Sequence, residues 1–175
     1  VQGTQPSIFK NCKVIAYKDG NTTTSSEIDE NWNGSEDWEG YYSYQIGGFA
    51  GLVVSDSSFT SCMVEGMDIK VRERVQGFGG IVAATHDLRT GTSEAPVSGT
   101  GIITINRCTS SDVTVSSKGA SYYIGGIVGC LDEGASVTNC LISEFVHEVN
   151  TGTNGSNNVA AIAGCVYGTE LNKAK

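Results

Sequence analysis

Proline is almost missing from this 175-residue chain, with 2 residues, and histidine is as scarce, also with 2. So little proline beside 23 glycines excludes a collagen-like or proline-rich linker and makes turns the main use of glycine. Charged residues reach only 17%, and the basic ones are outnumbered, 11 to 19, for a formal net charge of -8. That balance speaks against nucleic acid and anionic membrane as partners, because both ask for a basic face to neutralise phosphate. No apolar run approaches the length of a membrane-spanning helix. No leader peptide is visible, and the chain opens at Val1 rather than Met, as a mature product or a fragment would. No stretch holds a 3.6-residue period over three turns, so helices are not expected. None of the six cysteines makes a CxxC pair, which removes the zinc-knuckle reading.

What remains is a chain that is 39% hydrophobic, enough for one domain over 1–175 with a real core. Its dominant feature is internal repetition. Ile46-Gly47-Gly48-Phe49-Ala50-Gly51 returns as Phe78-Gly79-Gly80-Ile81-Val82-Ala83, as Ile124-Gly125-Gly126-Ile127-Val128-Gly129 and, with alanines, as Val159-Ala160-Ala161-Ile162-Ala163-Gly164. A second motif alternates with it: Phe9-Lys10-Asn11-Cys12, Phe59-Thr60-Ser61-Cys62, Ile105-Asn106-Arg107-Cys108 and Val137-Thr138-Asn139-Cys140. Gly51 to Cys62 and Gly129 to Cys140 are both 11 residues, while Cys62 to Gly79 and Cys108 to Gly125 are both 17. The unit, counted from Gly47 to Gly79, is 32 residues. Longer intervals mark insertions at fixed points of the repeat, over 18–45 and 85–101, as loops leaving a solenoid produce.

Val64 to Val71 and Val113 to Val115 alternate with period two and are rich in β-branched residues, so the repeat reads as strand. Three short strands per 32 residues predict an all-β fold, a right-handed parallel β-helix (solenoid) of about four coils with loop insertions. Equivalent positions then stack about 4.8 Å apart. The three-residue spacing from apolar residue to cysteine breaks strict alternation and predicts a bend or bulge there. Buried copies of both motifs would form the core: Ile46, Phe49, Phe78, Ile81, Ile124, Ile127, Val159 and Ile162, with Phe9, Phe59, Ile105 and Val137.

The runs IGGFAGLV, IGGIVGCL, FTSCMV and VTNCLI resemble the GLUG repeat of bacterial surface proteins, including relatives of immunoglobulin proteases. The resemblance covers nearly the whole chain outside the insertions. It implies an extracellular, cell-surface β-helical stalk, filament or adhesin segment. The GG-aliphatic pairs are also similar to the surface repeats of chlamydial autotransporters, although the FxxN half of that pattern is not met. Ala160 and Ala161 depart from the glycine pattern and would suit the approach to an end of the stack.

The residues offer little catalysis. Gly77-Phe78-Gly79-Gly80 lacks the following helix that a phosphate-cradling loop needs, so close backbone packing explains the glycines better. The cysteines fall in two sets, Cys12, Cys62, Cys108 and Cys140, then Cys130 and Cys165, whose stacking favours reduced thiol ladders over disulfides. His86 and His147 lie in different repeats and make no triad. No catalytic constellation appears, and the chain does not read as an enzyme.

One insertion is chemically distinctive. EIDENWNGSEDWEGYYSY, residues 27–44, carries both tryptophans. Asp29, Asn31, Asn33, Asp37 and Glu39 approximate a calcium loop, with Glu39 one place early and Gly40 where the bidentate Glu belongs. No cofactor is otherwise expected, and calcium is the one that this spacing suggests. Trp32, Trp38 and Tyr41 either pack the loop onto the core or present a sugar-stacking surface. Sequons at Asn21, Asn33 and Asn154 are what so much Asn, Ser and Thr produces by chance.

The functional expectation is an extracellular structural or adhesive module of a surface protein or filament. The alternatives are a carbohydrate-binding module and a glycan-active enzyme. The chain begins at the cysteine motif and stops soon after a glycine motif, as though cut from a continuing series. The expected partner is therefore further coils of the parent chain or a second subunit stacked end to end, with a surface glycan as another candidate.

Overall fold

The computed structural model describes residues 5–15, 26–28, 44–71, 75–85, 101–117, 121–132, 134–149 and 157–166. The first repeat supplies β1 (Ser7–Lys10), β2 (Lys13–Ile15), β3 (Ser26–Ile28), β4 (Tyr44–Gly47) and β5 (Ala50–Leu52). The second supplies β6 (Ser57–Thr60), β7 (Met63–Glu65), β8 (Asp68–Val71), β9 (Val75–Gly79) and β10 (Val82–Ala84). In the third stand β11 (Ile103–Asn106), β12 (Thr109–Ser117), β13 (Tyr122–Gly125) and β14 (Val128–Leu131), and in the fourth β15 (Ala135–Thr138), β16 (Leu141–Val149), β17 (Asn157–Ala160) and β18 (Ala163–Val166). The fold is all-β: no helix occurs among the described residues, and all strand pairs are parallel.

Each of four sheets takes its strands from successive repeats. Three run β1-β6-β11-β15, β4-β9-β13-β17 and β5-β10-β14-β18. In the remaining sheet β12 pairs with β7 and β8 along its two halves and with β16 along its length, while β2 and β3 lie outside β7 and β8. The register reproduces the sequence repeat at both motifs, with one irregularity between Tyr44 and Gln45. Phe9, Phe59, Ile105 and Val137 align, as do Ile46, Phe78, Ile124 and Val159, and Gly47, Gly79, Gly125 and Ala160. Part of the segment expected as an insertion, 18–45, is thus strand: Ser26–Ile28 pairs with Ile69–Val71, and Tyr44 opens β4.

One sheet is bent along its length by a corner that period-two reading does not see. Gly66 (φ 74°), Asp112 (φ 50°) and Glu144 (φ 54°) occupy equivalent left-handed positions. Each shifts the alternation by one residue, so Val64 and Ile69, five apart, both point inward. The run VEGMDIKV is therefore β7 and β8 with a bend between them, not one strand. The expected bend at the cysteine motif is also present. Asn11, Ser61, Arg107 and Asn139 sit there with φ of 54°, 53°, 55° and 54°.

The core is a set of columns running through the stack. Phe9 and Phe59 stack face to face at 4.8 Å between centroids, about one strand spacing, with Phe49 edge-on to both. Phe59, Phe78, Ile81, Ile105, Ile124 and Ile127 in the middle repeats are fully buried. Their counterparts Phe9, Ile46, Phe49 and Val137 in the outer repeats pack against this core while half-buried. Two expected core residues depart from the pattern: Val159 is 46% and Ile162 48% exposed. The middle repeats are covered from both sides, whereas among the described residues these two have only β13 and its following turn against them.

Candidate functional site

The cysteine corner repeats most faithfully. An inward apolar residue ends one strand, a left-handed residue turns the chain, and the cysteine enters the interior before the next strand begins. Cys62 and Cys108 are buried, and Cys12 and Cys140 at the ends of the column are half-buried. Each thiol lies within donating reach of the carbonyl two residues earlier: Lys10 (3.5 Å), Thr60 (3.6 Å), Asn106 (3.5 Å) and Thr138 (3.3 Å). Three also reach back to the preceding repeat, Cys62 to Phe9 O, Cys108 to Phe59 O and Cys140 to Ile105 O. The Cys108 N–H donates to Cys140 Sγ at 3.4 Å.

All six thiols are free, as stacking in register favours. Hydrogen bonding with Cys140, then burial, pushes the Cys108 thiol up; the same bond holds Cys140 down, at about 7. Sharing one proton lets the first thiol of such a pair ionise easily and the second with difficulty. Burial, then the neighbouring Cys165, pushes Cys130 up. A nucleophilic cysteine needs a thiolate in an accessible electropositive setting. This column instead spends its thiols on backbone carbonyls, and its chemistry is that of a corner brace. Among the described residues no group of three or more His, Cys, Asp or Glu is placed to hold a metal ion.

The residues singled out for ligands, Trp32, Trp38 and Tyr41, and for calcium, Asp29, Asn31, Asn33, Asp37 and Glu39, lie outside the described residues, as does His86. His147 is described. It sits on β16 opposite Val115, on the same inward-facing side as Phe145. Burial lowers its pKa, and its Nε2 is buried without a hydrogen-bond partner. Ser110, which sequence reasoning passed over, shares this feature. Its column is Val14, Val64, Ser110 and Ile142, and its Oγ is buried and unpartnered. The signal was available, since aligning the repeats puts a serine among aliphatic residues.

The glycine corner supplies the remaining geometry. A Cβ on Gly48 would collide with the Gly80 carbonyl and with Val64, one on Gly80 with the Gly126 carbonyl and Ser110, and one on Gly126 with the Ala161 carbonyl. Each second glycine therefore makes room for the next repeat, which is the close packing expected of it. No helix among the described residues is long and apolar enough to cross a membrane. Compared with protein-family models, curated proteins and solved structures, the chain matches none.

Proposed function

We propose that this chain is an extracellular structural or adhesive module of a cell-surface protein or filament, wound as a right-handed parallel β-helix. The observation that carries the reading is the in-register parallel stacking of four repeats, whose inward positions go to packing and corner bracing. An architecture of this kind is quasi-one-dimensional and presents long, regular outer faces. The outer face of its first sheet is mainly hydroxyl and amide: Ser58, Thr104 and Ser136 align on one column above Ile8, and Thr60, Asn106 and Thr138 on the next above Lys10. The likeness to GLUG surface repeats adds the location. The proposed partner is another protein surface at one end of the stack at least, either more of the parent chain or a second subunit.

Protease shaving of intact cells that make the protein tests the location. The reading expects the chain to be cleaved or released while cytosolic markers stay intact. Recovery of an untouched chain only after lysis would remove it. A glycan array run with wild type and Trp38→Ala separates the carbohydrate-binding reading: binding by wild type and not by the variant would replace the structural module with a lectin-like one.

A further inference from the structure

The four repeats are not equivalent at the glycine corner, and the difference has a direction. In the first three repeats the second residue of the pair is Gly48, Gly80 or Gly126, and the position of its missing Cβ is filled by the carbonyl of the next repeat, Gly80, Gly126 or Ala161. Bonds across this corner run the same way: Gly48 N–H donates to Gly80 O at 3.1 Å and Gly126 N–H to Ala161 O at 2.7 Å. The first glycine is hemmed in from two sides, since a Cβ on Gly47, Gly79 or Gly125 would first meet the Ala50, Val82 or Val128 carbonyl of its own repeat. It would also come within 2.8 to 2.9 Å of the next repeat's Ala83, Gly129 or Gly164 nitrogen. Real Cβ atoms essentially never approach backbone so closely.

The fourth repeat carries Ala160 and Ala161 at these two positions. By equivalence with Gly48, Gly80 and Gly126, the Ala161 Cβ stands where the carbonyl of a fifth repeat would pass. The facing side of the interior is closed in the same way, since the Gly48, Gly80 and Gly126 positions also touch Val64, Ser110 and Ile142 of the next repeat. The Ala161 and Ile162 N–H groups stand where earlier repeats donate upward, so the hydrogen-bonding edge is still offered while the approach is blocked. Exposed edges are templates for strand addition, and proteins commonly blunt them by local obstruction.

We propose that the Ala160–Ala161 pair closes the fourth-repeat end of the stack, so that another repeat of this glycine-glycine kind can be added in register only at the first-repeat end. There the Gly48 carbonyl is the acceptor that an added repeat meets, and it accommodates a partner bearing glycine at the position equivalent to Gly48. The inference gives assembly a polarity and bars head-to-tail stacking of identical copies, because such a stack would set Ala161 of one copy against Gly48 of the next. It rests on stacking geometry alone and stands or falls independently of where the protein resides.

The test compares the whole chain with the double variant Ala160→Gly/Ala161→Gly, which restores the residues that the other three repeats carry and fold with. Sedimentation velocity and amide hydrogen exchange are followed from micromolar to millimolar protein. In the wild type, exchange at 157–166 should be independent of concentration. In the variant it should slow at least tenfold as concentration rises, together with at least a doubling of mass. Wild-type protein that already gains concentration-dependent protection at 157–166 would overturn the proposal. So would a double variant that matches wild type in both measurements.

Discussion

Among the described residues Ser55, Ser110 and His147 have buried polar side-chain atoms without a partner, and Ser110 and His147 behave differently with pH. The Ser110 hydroxyl has lost water and gained nothing in return, a cost of about 1–3 kcal/mol for such a group. Ser110→Ala removes the oxygen and leaves the contact with the Gly80 corner unobstructed. It should raise stability by about 1 kcal/mol, or about 2–4 °C in melting temperature for a chain of this size. A thermal melt that falls instead would mean the hydroxyl has a partner. His147 is held neutral: burial depresses its pKa below the ordinary 6.5. The unfolded chain therefore binds this proton more readily than the folded one, and stability contributed by the neutral ring is present above pH 6.5 and lost as pH falls through the window below it. His147→Val, which repeats the Val115 beneath it, should melt with a shallower decline than wild type between pH 7.5 and 5.5. Parallel slopes for the two proteins would show that His147 does not titrate between folded and unfolded states.

At the scale of the element, the glycine corner is the feature with least tolerance. Gly80 is enclosed by a carbonyl from the repeat above and by Ser110, so Gly80→Ala must push two sheets apart. A loss of about 3 kcal/mol or more is expected in chemical denaturation, against less than about 1 kcal/mol for Ala161→Gly at the equivalent place in the last repeat. Equal effects would refute the difference drawn between covered and uncovered corners. These corners were legible in the sequence because parallel in-register stacking conserves position: Gly47, Gly79, Gly125 and Ala160 align in the text and in the sheet alike. The same holds for the cysteine bend. The corner at Gly66, Asp112 and Glu144 was not legible, since only one of its three members is the glycine that a left-handed turn favours. Alternation continued past it on paper while the backbone slipped by one residue. The ligand and calcium residues were read from local spacing in a segment that the repeat does not align, so neighbouring repeats gave them no support.

For the whole molecule, the order of repeats sets the order of stability. The contacts of each repeat are with its neighbours, so stability is close to a sum of repeat and interface terms. Repeats two and three have interfaces on both faces and hold the fully buried columns of Phe59, Ile105, Phe78, Ile124, Ile81 and Ile127. Among the described residues the fourth has one interface, with Val159 and Ile162 about half exposed. Sequence reasoning expected Val159 and Ile162 in the core because it treated each copy of the motif alike; burial depends on what lies above a residue as well as on what it is. Native-state hydrogen exchange should therefore grade along the stack. The amide of Ile81, bonded to Ile127 O at 2.9 Å, and that of Ile127, bonded to Ile162 O at 3.1 Å, differ in how firmly their acceptors are held. Ile81 should exchange only through global unfolding, with full denaturant sensitivity. Ile127 should open earlier, when the fourth repeat peels away, and the amides of β18 earlier still, with little sensitivity to denaturant. Uniform protection from β9 to β18 would mean that the fourth repeat is covered in solution and that the chain unfolds as one cooperative block.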